Sequence, residues 1–343
     1  GDGEVEFSIY DAAGAEVLTG KGRDTTVTLE HPHLWDGVRD PYLYTCAVRL
    51  VLNGEVQDEV RQRFGVRSFS VDPKRGFFLN GRPYPLHGVS RHQDRKGLGN
   101  AITREMHDED MQLIKELGAN TIRLAHYQHD QYFYDLCDEA GMVVWAEIPY
   151  ISEHMPNGRE NTISQMKELI VQNYNHPSIM FWGLSNEILI GGISQELVDC
   201  HHDLQKLCKE LDPTRLTTIA HVSSTPTTGP MHRITDVESY NHYFGWYGGK
   251  IEQNGPWLDK FHAENPDICL GISEYGCEGI INWHSNTPQC KDYSEEYQAL
   301  YHEYMAQAFE DRPWIWASHV WNMFDFGCAA RSEGGVKGRN NKG

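Results

Sequence analysis

From residue 73 onward, short apolar runs alternate with segments of helical periodicity, and this alternation limits the possible folds more than any other feature. The apolar runs predict eight strands, at residues 86–89, 120–125, 142–147, 178–184, 216–221, 237–240, 268–273 and 315–321. Seven helices are predicted to follow them. Strands that alternate with helices are typical of βαβ units in a parallel sheet. Eight strands within about 270 residues fit an α/β fold, the (β/α)8 TIM barrel, which usually has about 250 residues.

The first 72 residues have a different pattern, with strand-like segments and turns but little helical periodicity. Strands are predicted at residues 5–10, 25–30, 42–52 and 63–71. A β-sandwich of the immunoglobulin type needs about seven strands and about 100 residues. Residues 1–72 are therefore expected to form an incomplete sandwich, and residues 73–343 a barrel whose last helix lies beyond Gly343. The sequence looks truncated at both ends.

Charge and hydropathy exclude several classes of partner. The formal net charge is −19, from 49 acidic and 30 basic residues, whereas nucleic acids and anionic membranes are bound by basic patches. No apolar run approaches the roughly 20 residues that a membrane span requires. The eight cysteines form no C-x-x-C pair, which is typical of thiols in a reducing compartment. We therefore expect no nucleic-acid or membrane partner and a cytoplasmic location.

Two of the predicted strands lead directly into a glutamate. The run at 178–184 is followed by Asn186 and Glu187, and the run at 268–273 by Glu274. Carboxyl ends of barrel strands carry the catalytic groups of this fold. A glycoside hydrolase needs one protonated and one ionised carboxyl group on opposite sides of the glycosidic bond. We predict that Glu187 and Glu274 are this pair.

Other polar and aromatic residues also follow predicted strands. Those expected to contact substrate are His92, Arg123, His126, Asn186, Asn241, Tyr243 and Trp321. A charged side chain beside an apolar strand is costly unless it is paired or solvated, so we expect them to converge on one rim. Asn186 could bind the sugar 2-hydroxyl, Tyr243 could hold the nucleophile, and Trp321 could stack on the sugar.

Seven motifs resemble glycoside hydrolase family 2, which contains the β-galactosidases and β-glucuronidases. They are HGVSRH at 87–92, IRLAHY at 122–127, NHPS at 175–178, SNE at 185–187, YNHYFGWY at 240–247, ISEYG at 272–276 and VWNMFDF at 320–326. Residues 76–343 resemble the family's catalytic barrel. Leu34-Trp35 and RFGVR at 63–67 resemble its immunoglobulin-like domain, while the family's first domain, a jelly-roll, is absent.

The resemblance implies roles for the predicted site residues. Glu187 is implied to be the general acid/base and Glu274 the nucleophile of a retaining reaction through a covalent glycosyl-enzyme intermediate. Retention predicts that their carboxyl groups lie about 5–5.5 Å apart. The substrate contacts that it implies are His92, Arg123, His126, Asn186, Tyr243 and Trp321.

The sequence predicts no metal or other cofactor, with one possibility left open. There is no H-E-x-x-H motif and no tight cluster of histidines and aspartates. Some family members hold Mg²⁺ through a Glu-x-His element after the third strand, whereas here Glu153 and His154 are adjacent. A structural or catalytic Mg²⁺ is not excluded.

Three functions remain open at this point. The segment 326–343 resembles the galactosidase branch, which favours an exo-acting hydrolase of terminal β-galactosides on small-molecule or oligosaccharide substrates. The first alternative is a β-glucuronidase, in which Asn340 and Lys342 form the Asn-x-Lys motif that grips the sugar carboxylate; a lysine would favour an acid sugar electrostatically. The second is a non-catalytic carbohydrate-binding protein, against which both glutamates argue. A homo-oligomer is left open.

Overall fold

The computed structural model describes residues 3–343 and begins with a four-stranded antiparallel sheet. Its strands are β1 (Glu4–Tyr10), β2 (Glu16–Lys21), β3 (Tyr44–Leu52) and β4 (Glu55–Phe64), in the order β2-β1-β3-β4. This arrangement agrees with the expected incomplete immunoglobulin-like domain. The strand predicted at 25–30 was wrong, since that segment is irregular. The turn at Gly14 instead folds residues 16–21 back onto β1 as a local hairpin.

A small three-stranded sheet connects this region to the barrel. It consists of β5 (Phe69–Asp72), β6 (Gly76–Leu79) and β7 (Arg82–Pro83), in that order. Its aromatic side chains pack under the start of the barrel strands, where Phe77 lies 6.0 Å from Phe181, ring to ring. Burial of such apolar surface stabilises the junction by about 25 cal/mol per Å². The division between residues 72 and 73 stays a prediction.

A closed barrel of eight parallel strands forms the rest of the core, which confirms the predicted (β/α)8 fold. The strands are β8 (Leu86–Arg91), β9 (Thr121–Leu124), β10 (Val143–Glu147), β11 (Ile179–Asn186), β12 (Leu216–Val222), β13 (Glu238–Asn241), β14 (Leu270–Tyr275) and β15 (Ala317–Val320). β15 pairs with β8 and closes the barrel. All eight predicted strands are present, with ends displaced by a few residues.

Six α-helices surround the strands in the described part of the chain, so the prediction of seven was wrong by one. They are α1 (Arg104–Glu116), α2 (Gln131–Ala140), α3 (Arg159–Asn173), α4 (Gln195–Leu211), α5 (Asn254–Glu264) and α6 (Glu295–Glu310). No helix joins β12 to β13, where residues 223–237 form turns. Pro226 and Pro230 lie in this stretch, and proline breaks a helix because it lacks an amide donor.

The last residues return to the carboxyl end of the barrel. Strands β16 (Phe326–Gly327) and β17 (Arg339–Asn340) pair with each other and bring residues 340–342 to this rim. Over residues 3–343, every helix is too short or too polar to cross a lipid bilayer.

Candidate active site

The predicted polar residues meet at the carboxyl end of the barrel. Arg123, Asn186, Asn241 and Glu274 stand on four different strands, and Glu187 directly follows β11; Glu147, which was not predicted, ends β10 on the same rim. Carboxyl ends of parallel strands share one rim, where barrel enzymes keep their catalytic groups. The convergence expected from the sequence is therefore present.

Glu274 is held from two sides. Its Oε1 lies 2.8 Å from Nη1 of Arg123, and its Oε2 accepts a 2.6 Å hydrogen bond from the phenol of Tyr243. Burial, followed by the negative charge of Glu274, raises the pKa of Tyr243, so the phenol keeps its proton. Both carboxylate oxygens thus face donors, and the side chain is fixed in one orientation.

Glu187 has a different environment, with a single protein donor among residues 3–343. Its Oε1 accepts a 3.0 Å hydrogen bond from Nδ2 of Asn241. Burial, and next the negative charge of Glu274, raises the pKa of Glu187. The backbone of Glu187 lies in the left-handed region, with φ of 47°, a conformation that costs about 1–3 kcal/mol and is typical of functional sites. Glu187 is therefore the carboxyl group suited to carry a proton.

Asn241 links the two glutamates. Its amide nitrogen donates to both Glu187 and Asn186, and its oxygen accepts from the hydroxyl of Ser273, the residue before Glu274. Asn241 and Glu274 are also register partners across β13 and β14. The two carboxyl groups therefore flank one asparagine on one rim. Their predicted separation of about 5–5.5 Å stays a prediction.

Arg123 organises the floor of the site together with Glu147. Arg123 donates to both oxygens of Glu147 at 3.0 Å, and His126 donates to Oε1 at 2.6 Å. Burial alone would raise the pKa of Glu147, but Arg123 and His126 outweigh it and lower the pKa to about 2. Glu147 was not predicted as a site residue, although Glu147 also ends an apolar run, at 142–147.

The residues present offer little to a magnesium ion in this region. Oε2 of Glu147 accepts from Nε of Arg123, and Oε1 accepts from both Arg123 and His126. His154 engages the phenol of Tyr150 through Nδ1 instead of forming a pair of free ligands with Glu153. The absence of a cofactor nevertheless stays a prediction.

An aromatic wall stands beside the glutamates. The ring of Trp321 stacks on His126 at 4.8 Å, and His92 meets Trp321 edge-on at 5.2 Å. Burial, and next the positive charge of His126, lowers the pKa of His92 to about 3, so its imidazole is neutral. His92, His126 and Trp321 therefore lie together, as expected of a surface on which a sugar ring packs.

Lys342 brings a buried cation to the same site. Its side chain is only 1% exposed, and Nζ donates to the phenol oxygen of Tyr247 at 2.6 Å. Nζ also lies 5.6 Å from the ring centre of Tyr243, the residue that holds Glu274. Among the described residues no carboxylate lies within salt-bridge distance of Lys342, although the charges of Glu278 and Glu274 act on it from farther away. Burial, then the charge of Arg331, lowers its pKa to about 8.

A second cation, Arg331, lies near this lysine. Arg331 contacts Glu278 at 3.2 Å and donates to Tyr247 at 3.0 Å. The side-chain oxygen of Asn340 accepts from the backbone amide of Lys342, so Asn340 shapes the loop. Tyr247, Glu278 and Arg331 were not predicted as site residues. Their role depends on how the segments 276–293 and 326–343 fold over the rim, which no local pattern reveals.

Comparisons with known proteins agree with this geometry. Residues 71–334 match the family described as "Glycosyl hydrolases family 2, TIM barrel domain", and residues 2–67 match "Glycosyl hydrolases family 2". A β-glucuronidase of Bacteroides fragilis is 38% identical over 371 aligned positions, covering 100% of this chain and 52% of that protein.

Two solved structures are also similar. The FMN-binding β-glucuronidase from Facaelibacterium prausnitzii L2-6 is 72% identical, with a TM-score of 0.97 over 99% of this chain and 54% of that one. Bacteroides uniformis β-glucuronidase 2, covalently bound to cyclophellitol-6-carboxylate aziridine, is 34% identical, with a TM-score of 0.94 over 99% of this chain and 44% of that one. The chain spans about half the length of the curated relative it matches at 38% identity. From these matches and the shared barrel, the chain belongs to glycoside hydrolase family 2.

Proposed function

We propose that this glycoside hydrolase is a retaining β-glucuronidase. The observation that carries the proposal is the buried ammonium of Lys342, which forms no salt bridge within the described part of the chain and lies beside the tyrosine that holds Glu274. A buried charge is costly unless an opposite charge meets it. The carboxylate at C5 of a glucuronide would supply that charge.

The two glutamates have distinct parts in the proposed reaction. Glu187, whose pKa is raised by burial and then by Glu274, protonates the glycosidic oxygen as the aglycone leaves. Glu274 attacks the anomeric carbon and forms a glycosyl-enzyme ester. Glu187, now ionised, takes a proton from water, which attacks the same carbon and releases Glu274 as a carboxylate.

Asn186 is suited to hold the sugar 2-hydroxyl. Its Oδ1 accepts from Arg123 at 2.9 Å and from Asn241 at 3.0 Å. The amide nitrogen is the remaining donor of this side chain, and hydrogen bonds to the 2-hydroxyl strengthen in the transition state. The aromatic wall of His92, His126 and Trp321 packs against the ring.

A galactoside fits this arrangement less well than a glucuronide. Its neutral C6 hydroxymethyl group would displace water from the ammonium of Lys342 but would not supply a negative charge. A site built around a buried polar group rejects ligands that leave that group unpaired. The sequence pattern at 326–343 favours galactosides, but the buried lysine supports the alternative, glucuronides.

The names of similar proteins support the same choice. The relatives named above are called β-glucuronidases, and one of them reacts covalently with a carboxylate-bearing cyclophellitol aziridine. A β-glucuronide, small or oligomeric, is thus the proposed substrate. A cytoplasmic location stays a prediction from the sequence. The state of oligomerisation stays open.

The decisive test compares two chromogenic substrates. We expect kcat/KM for 4-nitrophenyl β-D-glucuronide to exceed that for 4-nitrophenyl β-D-galactoside by tenfold or more, about 1.4 kcal/mol in transition-state stabilisation. An advantage for the galactoside would overturn the proposal. Hydrolysis of neither substrate, with retained binding of glucuronate, would instead support a non-catalytic carbohydrate-binding protein.

A further inference from the structure

A second group of ionisable side chains lies outside the barrel, away from the glycosidase site. His221 is on β12, Glu238 is on β13, and His232 is in the 223–237 turn that replaces a helix. Neighbouring strand residues alternate between faces. Tyr240, two residues along β13, packs against Phe261 of α5 with ring centres 5.4 Å apart, so Glu238 on the same face points outward. The three side chains are buried, with exposures of 1% for His221, 3% for Glu238 and 1% for His232.

Hydrogen bonding determines which nitrogen of His232 carries its proton. The phenol of Tyr240 donates to the carbonyl of Thr225 at 2.8 Å. The contact of 2.6 Å between Tyr240 and Nε2 of His232 must then use the N–H of the histidine as donor. Nδ1 of His232 therefore bears a lone pair and no proton.

That lone pair has no partner. Nδ1 of His232 is buried without a hydrogen bond and lies 3.7 Å from Oε1 of Glu238. The lone pair of Nδ1 thus faces Oε1 of Glu238, which also accepts a 2.6 Å hydrogen bond from the backbone amide of Arg233, and a cation between the nitrogen and this oxygen would stabilise the contact.

The surrounding atoms have the spacing of metal ligands. Nε2 of His221 lies 2.7 Å from Oε2 of Glu238, and all three ligand atoms lie within 4.8 Å of one another. Two ligands bonded to tetrahedral zinc at about 2.0–2.1 Å are roughly 3.3 Å apart. The measured distances of 2.7 and 3.7 Å lie on either side of this value.

We propose that His221, His232 and Glu238 form a buried structural site for a divalent transition metal of the zinc class. Two imidazoles and a carboxylate are a ligand set that zinc accepts. Binding requires His221 to carry its proton on Nδ1, so that Nε2 can face the ion. The ion would fasten the 223–237 turn to β12 and β13, and so support the strand that ends in Asn241.

Another cluster of histidine and carboxylate side chains offers no unpartnered ring nitrogen. Asp135, Asp138 and His176 also lie within 4.8 Å of one another. Here, however, His176 bonds Asp138 through Nδ1 and Gln131 through Nε2. Both ring nitrogens are satisfied by the protein, so we expect no metal there.

The test begins with the unmodified protein, stripped by a chelator and then exposed to Zn²⁺. Elemental analysis after gel filtration is expected to find about one zinc ion per chain. Ligand binding to the native state raises Tm, and we expect a rise of about 3 °C or more. Co²⁺ should give the intense visible absorption of a tetrahedral site. Zinc content below about 0.1 per chain, or an unchanged Tm, would overturn the proposal.

A pair of variants assigns the metal to this cluster. His232→Gln removes the unpartnered ligand and is expected to abolish both zinc retention and the zinc-dependent rise in Tm. His284→Gln removes an exposed histidine that contacts Glu296 and should leave both unchanged. Retention of a full equivalent of zinc by His232→Gln would also contradict the proposal. If that variant does not fold, the Co²⁺ spectrum and Tm of the unmodified protein decide.

Discussion

Nη1 of Arg123 lies 2.8 Å from Oε1 of Glu274, and the same guanidinium binds Glu147 with its other nitrogens. Burial opposes the charge on Arg123, but Glu147 and then Glu274 outweigh it and raise the pKa of Arg123. The arginine is therefore a permanent cation below the proposed nucleophile. This pairing distinguishes Glu274 from Glu187, whose carboxyl group accepts from the amide of Asn241 and, over the described residues, from no cation.

Replacement of the proposed nucleophile should abolish turnover. Glu274→Gln preserves the size of the side chain but removes the attacking charge, so kcat for 4-nitrophenyl β-D-glucuronide should fall by about 10³-fold or more. Glu303→Gln, on the exposed face of α6, is the matched control and should retain activity. Turnover by Glu274→Gln near the unmodified rate would rule out its assigned role.

The pH profile should reveal Glu187 as the acid. Burial, then Glu274, raises the pKa of Glu187, and the group donates only while protonated. At saturating substrate, kcat should therefore decline as pH rises through this raised pKa. Glu187→Gln should lose the alkaline decline along with about 10²–10⁴-fold of activity on substrates with poor leaving groups. An unchanged alkaline decline in that variant would assign the acid to another residue.

Removal of the buried ammonium should change specificity more than catalysis. In Lys342→Gln, kcat/KM for the glucuronide should fall by about 10²-fold, comparable to about 2.7 kcal/mol, because the carboxylate loses its counter-charge. The galactoside should be affected far less. Burial and then Arg331 lower the pKa of Lys342 to about 8. In the unmodified enzyme, kcat/KM for the glucuronide should therefore also fall above this pH, because the lysine loses its positive charge. An equal loss on both substrates would mean that Lys342 is only structural.

Arg331 should act through Lys342 and Tyr247. The charge of Arg331 contributes to the lowered pKa of Lys342, after burial. In Arg331→Ala, the pH above which KM for the glucuronide rises should therefore move upward, and KM itself should increase several-fold with little change in kcat. Arg331→Lys should restore part of the effect. A general loss of kcat with an unmoved pH dependence would indicate a simple packing defect.

The sequence predicts the barrel well because its strands are apolar runs with clear ends. Glu187 and Glu274 could be found for the same reason, since each lies at the carboxyl end of an apolar run, where packing cannot explain a carboxylate. Glu147 has the same signal at the end of β10 and could have been included. The missing helix between β12 and β13 could also have been inferred from Pro226 and Pro230.

Other features depend on the folded chain. Lys342 contacts Tyr247, 95 residues earlier, and Arg331 reaches Tyr247 over 84 residues. These contacts exist only because β16 and β17 return the end of the chain to the rim. The motif alone does not show that Lys342 is buried, or that it forms no salt bridge with the described residues. The proposed preference for an acid sugar therefore depends on the folded structure. The orientation of His232 likewise depends on Tyr240 and Thr225.

Covalent labelling tests most directly whether Glu274 attacks a sugar whose carboxylate is held by Lys342. The protein would be incubated with cyclophellitol-6-carboxylate aziridine or with the same aziridine lacking the carboxylate, then digested and analysed by mass spectrometry. We predict a single adduct on Glu274 that forms at least tenfold faster, about 1.4 kcal/mol, with the carboxylate probe. An adduct on a different residue, or equal rates with the two probes, would contradict this account.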